Sequence, residues 1–257
     1  MLLDALEGVV EATPATRAQI ERVHDAAYIE RLASLDEPLW LDPDTMAGPT
    51  SWEAVLLSAG CAVRAVETGG FALGRPPGHH ALPDRSMGFC LVGNAAVAVR
   101  HAQAELGLSR VAIVDWDVHH GNGTEAIFAR DDTVFFASLH QWPFYPFTGG
   151  PGTSSDTTLN VPLPAGSGDD EYLSAFEELV VPAVRAFDPE LVLVSAGFDA
   201  HVDDSIALQQ VTEAGFTELA RMSGELAPRV AAVLEGGYNL ATLPRLVEAA
   251  LRGFDRR

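Results

Sequence analysis

Residues 111–124 read VAIVDWDVHHGNGT, an apolar run that leads directly into carboxylates and imidazoles. The run from Val111 to Trp116 is short, continuous and rich in β-branched side chains, which is typical of a strand buried on both faces of a sheet. Further apolar runs, the first of them weaker, occur at Gly70–Leu73, Val134–Leu139, Leu191–Ser195 and Val230–Leu234. The quoted stretch therefore predicts one strand of a larger sheet.

Helical segments with apolar residues at a spacing of three to four separate these runs. They extend over Thr16–Leu35, Ser51–Glu67, Leu91–Leu106, Asp169–Ala186, Thr212–Arg221 and Leu240–Gly253. Because a helix between two strands acts as a crossover connection, the strands are predicted to run mainly parallel. We therefore expect an α/β fold with three layers, α/β/α, around a mainly parallel central sheet.

Composition narrows the functional classes. No repeat or composition break divides the 257 residues, so we expect a single domain over residues 1–257. The net charge of −20 disfavours nucleic acid as a partner, because phosphate groups would be repelled. All 16 basic residues are arginines, which excludes chemistry that needs a lysine. With two cysteines and no long apolar run, we expect a cytoplasmic protein without a membrane span; the oligomeric state is left open.

Polar segments that contain glycine follow the predicted strands. They read GRPPGHH (74–80), DVHHGNGT (117–124), HQWPFYPFTGG (140–150), GFDAHVDD (197–204) and EGGYN (235–239). Ligands of open α/β sheets bind outside the carboxyl ends of the strands, so these segments are expected to converge on one crevice. The sequence has no motif of serine hydrolases, P-loop nucleoside triphosphatases or dinucleotide-binding enzymes.

Asp115, Asp117 and His119 occupy every second position at the end of the strand that begins at Val111, so their side chains are expected to face the same side. Two carboxylates and an imidazole at this spacing suit a divalent metal of the zinc type. Asp199 follows another buried strand, where an unpaired carboxylate would be costly, and it completes a set of Asp, His and Asp. Taken singly, each acid would equally suit a helix N-cap or a loop salt bridge.

His79 and His80 follow a stiff Pro-Pro turn and are expected to face the predicted metal site. Adjacent histidines in such a position favour proton transfer. Asp115 is expected to orient one ring and Asn122 the other, which would make one imidazole more basic than its neighbour.

Tyr238 follows Gly236 and Gly237, which allow the backbone to approach a ligand closely. Its hydroxyl would then donate a hydrogen bond to a developing oxyanion, although a glycine turn ahead of a core tyrosine is the commoner pattern. Phe89 and Tyr145 offer aromatic walls for a narrow apolar channel, and such residues more often belong to a core.

Six motifs together resemble the zinc-dependent histone deacetylase superfamily, which includes acetylpolyamine amidohydrolases and bacterial acetoin-utilisation proteins. They are RPPGHHA (75–81), GFC (88–90), DWDVHHGNGT (115–124), SLH (138–140), GFDAHVDD (197–204) and EGGYN (235–239). Their order holds from about His24 to the C-terminus, and the asparagine of HGNGT and the EGGY motif resemble class II and bacterial members. The resemblance implies the arginase-like version of the three-layer fold.

The resemblance also implies roles for residues at matching positions. The zinc ligands, for which iron(II) can replace zinc, are Asp117, His119 and Asp199. The catalytic residues are His79, His80, Asp115, Asn122 and Tyr238. The substrate-binding residues are Asp44, Gly88, Phe89, Tyr145 and Gly237. An inner potassium site falls on Asp115, Asp117, His119, Ser138 and Leu139, and an outer one falls near Phe128, Asp131 and Val134.

The implied activity is removal of acetyl or other acyl groups from acetylated lysine side chains or from small acetylated amines such as polyamines. A catalytically inactive acyl-lysine binding module and a related metal-dependent ureohydrolase are the alternatives. The chain begins inside what resembles the family's first helix, so the usual N-terminal strand with its HP-x-x-P-x-R segment is expected to be missing.

Overall fold

The computed structural model describes residue 6 and residues 8–255. Residues 1–5, 7, 256 and 257 of the predicted domain lie outside the described residues, and the domain count stays a prediction. A small antiparallel hairpin consists of β1 (Leu39–Asp42) and β2 (Thr45–Ala47). The strands of the larger sheet are β3 (Phe71–Ala72), β4 (Val111–Asp115), β5 (Val134–Gln141), β6 (Thr158–Leu163), β7 (Leu191–Ala196) and β8 (Arg229–Leu234).

The larger sheet is parallel throughout. Within the described residues its six strands follow the order β3-β8-β7-β4-β5-β6, and each neighbouring pair runs in the same direction. This order places β4, the strand quoted first, near the middle of the sheet between β5 and β7. The predicted mainly parallel sheet is therefore confirmed.

Helices connect the strands. They are α1 (Arg17–Ile20), α2 (Ala26–Ala33), α3 (Ser51–Thr68), α4 (Asn94–Leu106), α5 (Asn122–Phe128), α6 (Asp169–Ala175), α7 (Val181–Phe187), α8 (Glu213–Gly224) and α9 (Leu243–Phe254). A π-helical segment, Phe176–Val180, joins α6 to α7. None of these described helices is long and apolar enough to cross a membrane.

The side chains of β4 divide the core into two halves. Ala112 and Val114 belong to a cluster that includes residues of α6, α7, α8 and α9. Val111 and Ile113 belong to a second cluster with residues of α3 and α4. Because successive side chains of a strand point to opposite faces, helices cover both faces of the sheet. The predicted three-layer α/β/α fold is confirmed.

The register of the central strands brings their carboxyl ends to one level. Asp115, the last residue of β4, pairs with Ser138 of β5 on one side and Ser195 of β7 on the other. The segments that leave β4, β7 and β8 therefore start side by side, as expected for a ligand crevice at this edge.

The predicted helix over Thr16–Leu35 is wrong at its centre, where the chain leaves helical geometry between α1 and α2. The His24 ring is hydrogen-bonded at both nitrogens, to the carbonyl of Leu82 and to the N–H of Gly93. The N–H of Asp25 donates to the carbonyl of Pro83 instead of to the preceding turn. These long-range hydrogen bonds override a spacing pattern that runs through the break.

Three elements escape the sequence patterns: the β1–β2 hairpin, α5 and the edge strand β6. Pro162 lies within β6, where an edge position tolerates the missing backbone N–H. Helix α5 follows Gly121 with only seven residues, which is too short for a clear helical period.

We expect Leu193→Ala in β7 to lower the free energy of unfolding by about 2–5 kcal/mol, because the side chain is fully buried at the centre of the sheet. Leu179→Ala provides a matched control at a side chain that is 47% exposed, and its cost should stay within about 0.5 kcal/mol. Urea unfolding followed by circular dichroism measures both values. Equal losses in the two variants would contradict the assigned core.

Candidate active site

Two carboxylates shape the chain where β4 ends. Asp115 Oδ1 accepts the N–H of Asp117 at 3.0 Å, and Asp117 Oδ1 accepts the N–H of His119 at 2.9 Å. Each aspartate thus binds the backbone two residues further on, which is the local hydrogen bond of an Asx turn. The turns fold the segment back on itself and leave Asp117 and His119 buried at the same edge of the sheet.

Asp117, His119 and Asp199 bring three ligand atoms within 4.8 Å of one another. His119 Nδ1 lies 3.0 Å from Asp117 Oδ1 and 3.1 Å from Asp199 Oδ2. The other carboxylate oxygens are held by backbone donors: Asp117 Oδ2 accepts the N–H of Gly236, and Asp199 Oδ1 accepts the N–H of Val118. Apart from its contact with His119, the buried Asp199 Oδ2 has no hydrogen-bond partner among the described residues.

The buried negative charges of Asp117 and Asp199 shift the pKa values of the residues in this set. Burial raises the pKa of Asp199 to about 6, and the charge of Asp117 acts in the same direction. Burial lowers the pKa of His119, but Asp117 and Asp199 outweigh it and raise that pKa to about 10. A divalent cation would compensate both facing carboxylates, including the oxygen of Asp199 that lacks a backbone donor. Two carboxylates and one imidazole nitrogen therefore fit a metal ion.

Glycines make room for the carboxylates. A Cβ atom on Gly197 would overlap Asp117 Oδ2, and one on Gly236 would overlap Asp199 Oδ2. Any side chain at these two positions would therefore displace a ligand. This explains the glycines in the GFD and EGG segments by close approach of backbone to the site.

The structure brings His79 and His80 together with the partners predicted for them. His79 Nδ1 lies 3.0 Å from Asp115 Oδ2, and His80 Nδ1 lies 2.7 Å from Asn122 Oδ1. The two imidazole ring centroids are 4.0 Å apart. Because the amide oxygen of Asn122 can only accept, Nδ1 of His80 carries the proton and Nε2 keeps its lone pair.

The pKa values of the two histidines shift in opposite directions. Burial lowers the pKa of His79, but the charges of Asp117 and Asp115 outweigh it and raise that pKa to about 10. Burial holds the pKa of His80 well below its ordinary value, and the positive charges of His79 and His119 add to this effect. Of the two residues, His79 is therefore the stronger base and His80 the weaker one.

Glu235 has a structural role that the sequence patterns do not reveal. Its Oε2 accepts the N–H of Gly78 at 2.7 Å and the N–H of His79 at 3.1 Å, so it anchors the segment that carries both histidines. Burial raises the pKa of Glu235 to about 7, against the opposing effect of His79. Cys90 lies close enough to His79 and Glu235 for the three side chains to share a metal ion. Burial, however, raises the pKa of the Cys90 thiol well above its ordinary value. The thiol is therefore an inert neighbour.

A cavity of about 200 Å³ leads to the site. It is lined by Asp44, His80, Gly88, Phe89, His119, Phe144, Tyr145, Ile206 and Tyr238. Phe89 packs edge-on against Tyr238, and Tyr145 packs edge-on against His80, so both predicted aromatic walls are present. The Phe144 ring stacks on the His119 ring, with the ring centroids 5.2 Å apart. Phe144 was not predicted as a wall of the channel, because only its neighbour Tyr145 was assigned that role.

Of the predicted substrate-binding residues, Asp44 lines the cavity and Gly237 does not. Gly237 is not among the residues that line the cavity; a Cβ there would meet Phe198 and Leu243, and its φ of +124° serves the turn before Tyr238. Asp44 does reach the rim, but its Oδ1 accepts the N–H of Gly88 and the hydroxyl of Thr45. That oxygen holds the Gly88 turn in place instead of standing free for a substrate.

Of the residues predicted to hold the inner potassium ion, Asp115, Asp117 and His119 belong to the site described above, and Ser138 and Leu139 lie on the neighbouring strand β5. Ser138 is fully buried beside Asp115, and its hydroxyl lies 2.9 Å from His140 Nδ1. The Leu139 side chain packs in the core, which leaves its backbone carbonyl as the group available to an ion. At the predicted outer site, Asp131 is paired with Arg100. Potassium binding stays a prediction.

A family model described as histone deacetylase domain matches residues 2–254. The chain therefore belongs to the histone deacetylase family, as the six motifs indicated. Its fold is also that of a solved relative. The crystal structure of the HD domain of HDA15 superposes with a TM-score of 0.91 at 38% sequence identity, and the match covers 95% of this chain and 74% of that one.

Two curated relatives give the scale of the similarity. Histone deacetylase 14, chloroplastic, of Arabidopsis thaliana is 43% identical over 268 residues, which cover 93% of this chain. The histone deacetylase-like amidohydrolase of Pseudomonas aeruginosa is 42% identical over 253 residues, which cover 91% of this chain. The chain spans 63% of the Arabidopsis protein and 67% of the Pseudomonas protein.

We expect Asp199→Asn to weaken Zn²⁺ binding at least about tenfold, because a ligand charge is lost while the shape of the side chain is kept. Titration calorimetry of chelator-treated protein measures the Kd. Asp203→Asn is a matched control, since Asp203 is exposed and pairs with Arg245 instead of facing the site. Wild-type affinity in the Asp199 variant would contradict the proposed ligand set.

Proposed function

We propose that this protein is a metal-dependent amidohydrolase that removes acetyl groups from acetylated lysine side chains or small acetylated amines. One observation carries the proposal: the cavity is lined by His80, Tyr238 and His119, and His119 also belongs to the set of three possible metal ligands. Membership of the histone deacetylase family supports the same reaction class.

The metal would be held by Asp117, His119 and Asp199, with Zn²⁺ as the first choice and Fe²⁺ as a second ion that suits the same ligands. When bound, such an ion polarises the acyl carbonyl and lowers the pKa of an attacking water. Asp117 stays ionised and can therefore act as a ligand. Burial opposes its ionisation, but His79 and His119 hold its pKa below the usual range.

Proton transfer falls to His80. Its Nδ1–H donates to Asn122, so Nε2 accepts the proton of the attacking water as a carbon–oxygen bond forms at the amide carbon. His79 lies beside Asp115, which raises its pKa, and a positive charge on His79 favours the neutral form of His80. When the carbon–nitrogen bond breaks, protonated His80 returns the proton to the leaving amine, which gives acetate and a free amine.

Tyr238 stabilises the charge that develops on the carbonyl oxygen. Burial raises the pKa of Tyr238 above its ordinary value, and the charges of Asp199 and Asp117 add to this, so the hydroxyl stays a donor at neutral pH. A donor placed in a buried cavity stabilises an oxyanion more than water does.

The cavity suits a narrow, extended substrate. Phe89, Phe144 and Tyr145 line it with aromatic rings that would pack along an alkyl chain. The net charge of −20 favours substrates that carry positive charge elsewhere, such as basic peptides or polyamines.

We expect Tyr238→Phe to lower kcat about 10²–10³-fold on an acetyl-lysine amide, because one oxyanion donor is lost. The rate of acetate release by metal-loaded protein measures kcat, and a chelated sample serves as the control without metal. The absence of turnover on acetyl-lysine, trifluoroacetyl-lysine and acetylpolyamine substrates, despite a bound metal, would contradict the enzyme and favour a binding module.

His80→Ala should lower kcat about 10²–10⁴-fold, the usual contribution of a general acid or base, while the metal content stays that of the wild type. His201→Ala is a control at another buried histidine, whose ring interacts with Asp203 and Phe216 outside the cavity. Equal rates for His80→Ala and wild-type protein would exclude His80 as the proton acceptor.

A further inference from the structure

We propose that Asp204 is the positioning residue for Tyr238, fixing the backbone that carries the oxyanion donor. The inference rests on the proposed function and adds a residue to it. Asp204 does not line the cavity and is buried, with 6% of its surface exposed. Its side chain therefore acts through the residues to which it is bonded.

The carboxylate of Asp204 binds two loops at once. Its Oδ2 accepts the N–H of Tyr238 at 2.7 Å and the N–H of Asn239 at 3.1 Å. Its Oδ1 accepts the N–H of Ile206 at 3.2 Å. One buried carboxylate thus accepts three backbone N–H groups and attaches the Tyr238 segment to its own loop.

Tyr238 needs such an attachment because the chain before it is intrinsically loose. Gly236 and Gly237 precede it, and glycine loses more conformational freedom on folding than any other residue. Gly236 is fixed by its hydrogen bond to Asp117. Two residues after Tyr238, the side chain of Leu240 is 78% exposed. Asp204 thus holds the segment on the far side of the glycines.

The attachment links the tyrosine to the metal ligands. Asp204 lies five residues after Asp199, in a segment closed by the hydrogen bond from the N–H of Asp204 to the carbonyl of His201. One short segment therefore carries a metal ligand at one end and holds Tyr238 at the other. A shift of about 1 Å in a reacting group can cost about 10²-fold in rate, so this distance matters for catalysis.

The neighbouring Asp203 provides a matched control. Its side chain is 56% exposed and faces Arg245, while its contact with Asn239 runs through the backbone carbonyl and survives truncation. Asp203→Ala therefore removes a carboxylate one residue away without touching the attachment of Tyr238.

The test is a double-mutant cycle on acetyl-lysine amide hydrolysis with Asp204→Ala, Tyr238→Phe and the combined variant. Asp204→Ala should lower kcat about tenfold or more with wild-type metal content, and Asp204→Asn should fall between it and the wild type. In the Tyr238→Phe background the same change should lower kcat less than about twofold, because no hydroxyl is left to misplace. Ile206 lines the cavity and is also bound to Asp204. Any change in KM that results from a shift of Ile206 would be the same in the wild-type and Tyr238→Phe backgrounds.

A purely structural role for Asp204 predicts equal fold-changes in both backgrounds, and that result would overturn the inference. If Asp204→Ala does not fold, the cycle is run with Asp204→Asn.

Hydrogen exchange of the peptide that contains Tyr238 gives a second measure independent of turnover. Faster exchange in the Asp204 variants, but not in Asp203→Ala, supports the attachment, and unchanged exchange contradicts it. Wild-type protein without turnover would refute the proposed function, while the exchange result would still decide whether Asp204 holds Tyr238.

Discussion

The site depends on the burial of four carboxylates at the ends of adjacent parallel strands. Asp115, Asp117, Asp199 and Glu235 are at most 1% exposed, and they follow or end β4, β7 and β8. Buried charge is tolerated only where donors compensate it. Backbone N–H groups of Gly78, His79, Val118 and Gly236, together with the imidazoles, supply that compensation. The conformations of these loops are therefore fixed by the hydrogen bonds that the buried carboxylates accept.

The same charges explain why two adjacent histidines behave differently. His79 lies among Asp115, Asp117 and Glu235, so its imidazolium form is stabilised by several anions. His80 has a neutral amide as its partner and cations as neighbours, which favours the free base. Neighbouring anions therefore raise the pKa of His79, whereas burial and neighbouring positive charges lower the pKa of His80.

Much of this arrangement can be predicted from the sequence, because its signals are local. Continuous apolar runs revealed the central strands, and acids directly after buried strands revealed Asp117 and Asp199. The patterns failed where distant contacts decide the outcome. The hydrogen bonds of His24 break a helix whose periodicity is continuous, and Pro162 conceals an edge strand. Glu235 and Asp204 act on backbone groups 156 and 34 residues away, so spacing gives no sign of their roles.

The order of the strands along the chain has a consequence for synthesis. β8 is the last strand of the sheet to be made, yet it inserts between β3 and β7, and the residues after it anchor both the His79 segment and Asp117. Such contacts are far apart in sequence, which is the property that slows folding. Asp117, His119 and Asp199 are therefore made before Gly236, whose N–H binds Asp117 Oδ2, so the site reaches its final hydrogen-bond pattern only after β8 has joined the sheet.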